Sequence, residues 1–173
     1  MTDRHIRGTI RAGAGDAGEQ DAFREHVREA MAHWASGVTI VAANDGAMVH
    51  AVTVTAFMSV SLDPPLVLVG LGGNASVLPL LTPDTRFGIS VLTESQRRTA
   101  SMFTDPSPIG REVFDLTDVP LVKDALVALT CSVEDRLYVG DHTLVVANVE
   151  AVGGAMSGRP LIRYAREWTT LAR

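Results

Sequence analysis

One cysteine, Cys131, stands in a chain of 173 residues. No intramolecular disulfide is available, and the flanking residues 128–134 read as a strand that buries the thiol rather than as an exposed reactive site. A reducing cytoplasm is the default compartment for such a chain. Positive charge is also short: the formal net charge is −5. A nucleic-acid partner is therefore not expected, since proteins that hold one present a basic face. No apolar run reaches the roughly 18 residues that a membrane-spanning helix needs, and the N-terminus lacks the charged-then-apolar layout of a signal peptide, so no membrane association is expected. Catalytic motifs are equally scarce. There is no G-x-S-x-G elbow, and the histidines (His5, His26, His33, His50 and His142) show no metal-ligand spacing. What is abundant is apolar character, 46% of residues against 20% charged, enough for one domain with a substantial core.

Residues 1–18 are rich in Gly, Ala and charge without periodicity and read as a flexible leader, followed by one folded domain over 19–173. From Asp21 the apolar positions Phe23, Val27, Ala30, Met31 and Trp34 form one helical stripe, and Gly37 is read as its stop. Residues 38–43 and 48–56 read as strands joined by the tight-turn signal Asn44-Asp45-Gly46. Asp63-Pro64-Pro65 separates two further runs, 57–62 and 66–71. A turn of helix over 76–81, a strand over 86–92 and a helix over 94–103 capped near Thr93 or Ser95 come next. Residues 104–120 read as loop. Two long alternating strands over 127–135 and 141–152, joined across 136–140, precede short strands at 161–164 and 168–171. Helices do not alternate with strands. The expected fold is mainly β: an antiparallel, Greek-key-like barrel with peripheral helices.

The segment from Ala51 to Ser76 carries the densest chemistry. Hydroxyls recur at Thr53, Thr55, Ser59 and Ser61, and a glycine loop adds Gly70, Gly72, Gly73, Asn74 and Ser76. Small polar side chains and open backbone N–H groups beside apolar strands suit a phosphorylated, partly apolar ligand. Gly70-Leu71-Gly72-Gly73-Asn74-Ala75 also matches the G-x-G-x-x-A dinucleotide fingerprint, with Glu94 about 20 residues further on. A Rossmann dehydrogenase is nevertheless disfavoured. Pro79 and Pro83 interrupt the crossover helix that fold needs, at roughly 3 kcal/mol for an interior proline. Gly140-Asp141-His142-Thr143 is the other candidate: an imidazole where a turn enters an apolar strand can donate to an anionic or amide group of a ligand.

Taken together, these stretches resemble the flavin reductase-like family, the short NAD(P)H:flavin oxidoreductases that serve two-component flavin monooxygenases. The likeness runs over about residues 21–171. It is carried by Ser59-Val60-Ser61-Leu62-Asp63-Pro64-Pro65-Leu66, Asn74-Ala75-Ser76, Gly140-Asp141-His142-Thr143 and Pro160-Leu161-Ile162-Arg163-Tyr164. The resemblance implies an FMN-binding split β-barrel, usually a homodimer, with FMN or FAD near the subunit interface and NAD(P)H as co-substrate. It assigns Thr53, Val54, Thr55 and Ala56 to the isoalloxazine. Ser59, Ser61, Gly73, Asn74 and Ser76 are assigned to the ribityl and phosphate groups, and His142 to nicotinamide binding and hydride transfer. Thr55 stands where that family carries Asn, and Ala51-Val52 where it carries Gly-Met. A partner flavin-dependent monooxygenase is implied as well. The alternative within the same fold is a flavin- or haem-binding protein without turnover.

Overall fold

Alternating apolar side chains make antiparallel strands the dominant element of the chain. The computed structural model describes residues 16–104 and 111–172. Helix α1 (Ala17–Ala32) is followed by β1 (Ser36–Gly37), β2 (Thr39–Asn44), β3 (Val49–Val54), β4 (Phe57–Leu62), β5 (Pro65–Gly72) and β6 (Arg86–Val91). Helix α2 (Arg97–Met102) comes next, then β7 (Phe114–Asp115), β8 (Leu121–Val122), β9 (Val127–Val139), β10 (His142–Gly153), β11 (Ile162–Tyr164) and β12 (Glu167–Thr169). Seven strands form one sheet in the order β3-β2-β6-β9-β10-β5-β4, and every pairing in it is antiparallel. A small sheet β1-β11-β12 and the pair β7-β8 complete the architecture.

The two edge strands of the large sheet, β3 and β4, are consecutive in the chain. Their link turns back on the sheet, where the Gly70 N–H donates to Ala56 O at 2.8 Å. The sheet thus curls until its edges face one another without a ladder between them, which is a split barrel. Inside it pack Val41, Val69, Leu71, Phe87, Ile89, Cys131 and Val145, all at 1% exposure or less. Burial pushes the Cys131 thiol up to about 12, consistent with a structural, unreactive cysteine. A second cluster, Val38, Ile40, Leu92, Phe103, Phe114 and Leu161, lies across the sheet. Strand β2 is therefore covered on both faces, which is why Thr39–Ala43 is buried throughout rather than alternating.

Several boundaries differ from the sequence reading. Asp16 caps the first helix by accepting from Glu19 N–H at 3.1 Å, so Ala17 and Gly18 belong to α1 rather than to a leader; residues 1–15 lie outside the described residues. The helix stops at Ala32, not Gly37, because Ser36 and Gly37 pair with Arg163 and Ile162 as β1. None of α1 is buried: Val27 and Met31 are 45% and 62% exposed, and Trp34, just past its end, is 76% exposed. The expected 94–103 helix divides into a 3₁₀ turn and α2, opened by the reciprocal Thr93/Gln96 cap. Strands β9 and β10 run to a two-residue turn at Gly140-Asp141, with Gly140 at φ +62°, rather than joining across 136–140. The Asn44-Asp45-Gly46 turn forms where expected. Asp45 Oδ1 accepts from the backbone N–H of Ala47 and Met48 at 2.9 and 2.7 Å.

Candidate functional site

The barrel's slit is where backbone polar groups go unpaired by strands. Strand β4 pairs with β5 only up to Phe57↔Val69 and Gly70 N–H is taken by Ala56 O, so Leu71 and Gly72 have one open side. Across from them, the Thr53 N–H points away from β2 and donates to Phe103 O at 3.0 Å, at the end of α2. Thr55, one residue past the end of β3, is exposed beside it. Val52, Thr53, Val54, Thr55, Ala56, Gly70, Leu71, Gly72 and His142 together line this slit, a cavity of about 170 Å³.

The slit continues past Val52 into a smaller recess lined by Ala51, Val52, Gly72, Asn74, Ala75, Ser76, Phe103 and Thr104. Its floor is the loop after β5. Two N–H groups of that loop are engaged, Gly73 with Asp141 O at 3.0 Å and Ala75 with Gly72 O at 2.9 Å. The N–H groups and side chains of Asn74 and Ser76 make no hydrogen bond among the described residues. A methyl on Gly72 would lie 3.2 Å from Asn74 Oδ1, so the glycine lets the amide fold over the loop. Four donors gathered beside an apolar strand are a chemical match for a phosphate.

His142 opens β10, opposite Gly72 in register. Its Nδ1 lies 2.7 Å from Asp141 Oδ1, and the imidazole is half exposed. That hydrogen bond is the main reason the Asp141 carboxyl sits below its ordinary value. With Nδ1 held on the carboxylate, Nε2 is the nitrogen left for a ligand. At the far end of β3 the rim widens into a groove of about 700 Å³ between α1 and the β11–β12 hairpin, into which Arg28, Arg163, Arg166 and Trp34 project. Thr55 and Ala56 line both the slit and this groove.

Residues 31–172 match the description of the Flavin reductase like domain. The chain belongs to the flavin reductase-like family. The reductase component of 4-hydroxyphenylacetate 3-monooxygenase from Thermus thermophilus is 37% identical, over 86% of this chain and 97% of that protein. The NADH-dependent flavin reductase StyB of Pseudomonas fluorescens is 36% identical, over 82% and 86%. Among solved structures, the styrene monooxygenase flavin reductase of Pseudomonas putida superposes with a TM-score of 0.77 at 34% identity, over 84% of this chain and 97% of that one. The NADH:FAD oxidoreductase of Streptomyces globisporus, solved with NAD and FAD fragments, gives 0.79 at 28% identity, over 86% and 93%.

This flavin reductase-like fold brings together most of the residues singled out in the sequence, in unequal states. Thr55 and Ala56 are exposed on the rim. The Thr53 hydroxyl is not free, since it donates to Ala100 O at 2.6 Å and ties β3 to α2. The Val54 side chain is in the core, and its carbonyl accepts from Thr39 Oγ1, so it braces the strand from within. Asn74 and Ser76 sit together on the loop, whereas the Gly73 N–H is taken by Asp141. Ser59 and Ser61 lie apart, on β4, and line neither the slit nor the recess. Ser61 Oγ accepts from Asp63 N–H at 3.2 Å and supports the turn into β5. The sequence reading missed Phe103 and Thr104, which wall the recess, and the arginine groove. The former carry only a helix-end signal, and Arg28 and Arg163 come from opposite ends of the chain. No helix among the described residues is long and apolar enough to cross a membrane.

Proposed function

We propose that the protein is an NAD(P)H-dependent flavin reductase, transferring hydride from the nicotinamide to FMN or FAD and releasing the reduced flavin to a partner monooxygenase in the cytoplasm. The observation that carries this reading is one slit that joins a loop with four donors unengaged among the described residues, on Asn74 and Ser76, to the imidazole of His142 held by the Asp141 carboxylate. A flavin's phosphate fits the loop, and its ring the stretch of slit that runs from Val52 towards Thr55 and Ala56. The flavin, when bound, supplies the hydride acceptor. The chain's own work is to hold two flat rings at reacting distance and keep water from between them. Thr55 and Ala56 border the ring position. His142, positioned by Asp141, meets the amide or an anionic group of the nicotinamide nucleotide. That the relatives named above are called NADH-dependent flavin reductases and monooxygenase reductase components supports the assignment.

We read the active form as a homodimer. Met58, Val60 and Leu62 on the edge strand β4, and Leu137, Tyr138 and Val139 at the β9–β10 tip, are large apolar residues left exposed. Beside the latter, Arg136 Nε is buried without a hydrogen-bond partner among the described residues. Such faces are commonly covered by another chain; a monomeric mass by light scattering would contradict this.

Steady-state oxidation of NADH and NADPH, each with FMN, FAD and riboflavin, tests the activity. Flavin-dependent oxidation is expected; a yellow protein that retains flavin but oxidises neither nicotinamide would establish the non-catalytic alternative. Asn74→Ala and Ser76→Ala should each raise the flavin Kd about fivefold, the equivalent of about 1 kcal/mol for a lost hydrogen bond. Titration of flavin fluorescence reads this directly, and unchanged affinity in both variants would remove the phosphate from this loop.

A further inference from the structure

The groove between α1 and β11–β12, about 700 Å³, meets the flavin site only at Thr55 and Ala56, and the rest of its lining has no role in the flavin contacts just described. Its walls carry three guanidinium groups in a chain whose net charge is −5. Two of them share a carboxylate: Arg166 Nη2 lies 2.7 Å from Glu25 Oε1, and Arg28 pairs with the same group through Oε2. Glu29, on the same helix, also faces Arg166 electrostatically. Arg163 is different. It has no ion pair among the described residues and is stacked on Trp168, its cross-strand neighbour, with Cζ 4.5 Å from the ring centroid. Stacking fixes the plane of a guanidinium while leaving its N–H edge free, the state suited to receive phosphate oxygens in a bidentate manner. Counting both glutamates, the groove keeps a net positive charge through Arg163.

Its position says which anion. The flavin phosphate belongs to the Asn74–Ser76 loop, at the Ala51–Val52 end of β3. The groove begins at the other end, at Thr55 and Ala56, which border both cavities. A nicotinamide stacked over the flavin ring leaves the rest of its dinucleotide to run out of the slit, and at the end away from His142 and the phosphate loop it meets Thr55, Ala56 and the groove, carrying two phosphates that need a cation. Trp34, 76% exposed on the same wall, offers the flat apolar surface a purine or nicotinamide ring can lie on. We propose that this groove receives the diphosphate of the nicotinamide dinucleotide, with Arg163 as its anchoring cation. The inference rests on the reductase reading and deepens it.

The test is kinetic and uses the full chain with FMN and with FAD. Arg163→Ala should raise the KM for NADH by about tenfold, with kcat within about twofold and the Kd of both flavins unchanged. Arg163→Lys, which keeps charge but not the fork, should recover part of the loss. The wild-type KM should rise with added NaCl and that of Arg163→Ala should not, because the screened pair is gone. Matched thermal unfolding of the two variants separates a binding effect from loss of the Trp168 stack. An unchanged KM would overturn the proposal. So would a weakened Kd for FAD with FMN unaffected, which would place the adenylate of the flavin in the groove instead. A wild-type protein that oxidises no nicotinamide with any flavin would be a failure of the reductase reading itself, a distinct result.

Discussion

Replacing His142 by alanine should lower kcat/KM for NADH by about tenfold or more while leaving the flavin Kd within about twofold. The imidazole opens β10 directly across the ladder from Gly72, and Asp141 holds its Nδ1 at 2.7 Å, so the ring is fixed before any ligand arrives. Misplacing a reacting ring by about an ångström costs on the order of a hundredfold in rate, which makes an orienting group at the slit's mouth worth more than its single hydrogen bond. The proposed phosphate contacts are made by Asn74 and Ser76 and not by the imidazole, so flavin affinity should not follow. Pre-steady-state reduction of enzyme-bound flavin by NADH measures the effect. Equal rates in wild type and variant would take His142 out of the hydride step; a parallel loss of flavin would move it from the nicotinamide to the flavin.

The largest effect on stability should come from Gly88→Ala. Gly88 sits in β6, between Ala42 of β2 and Thr130 of β9, in the middle of the seven-stranded sheet. A methyl there would lie 2.1 Å from Pro120 O and 3.0 Å from Leu121 Cδ2. The obstacle is backbone, and it is pinned: two residues on, the Val122 N–H donates to Ser90 Oγ at 2.9 Å in the buried interior. Neither the strand nor the segment crossing it can yield without breaking a ladder or orphaning a buried polar group. A cost of about 3 kcal/mol or more is expected, at the upper end for overpacking. Chemical denaturation would report it as a lower midpoint with an unchanged slope. A midpoint equal to wild type would mean that the segment at residues 119–122 is not held against β6 as described.

Much of the fold was legible because its signals are local. Asp63-Pro64-Pro65 divides β4 from β5 by chemistry that no tertiary contact can reverse, and the alternation of Val127, Leu129, Cys131 and Val133 announces β9. The G-x-G-x-x-A match could be set aside for an equally local reason, since Pro79 and Pro83 leave room only for the 3₁₀ turn Leu78–Leu80. What was not legible depended on what meets what. Periodicity marked Val27, Met31 and Trp34 as one apolar face, but not that the body of the chain leaves it uncovered. Ser36 and Gly37 carry no strand signal and become β1 only through Ile162 and Arg163. Thr53 offered a hydroxyl on paper, but α2 claims it. Ser59 and Ser61 reproduce the most recognisable part of the family block and yet line neither the slit nor the recess.

One anaerobic experiment tests the central claim most directly: catalytic amounts of the purified chain mixed with excess FMN or FAD and NADH, followed by the loss of the flavin's visible absorbance. The account predicts stoichiometric bleaching of the flavin, one NADH oxidised per flavin reduced, at a rate proportional to protein and strongly diminished in the His142→Ala variant. Flavin that stays oxidised in the presence of NADH and NADPH alike, with the protein folded and the flavin bound, would contradict it.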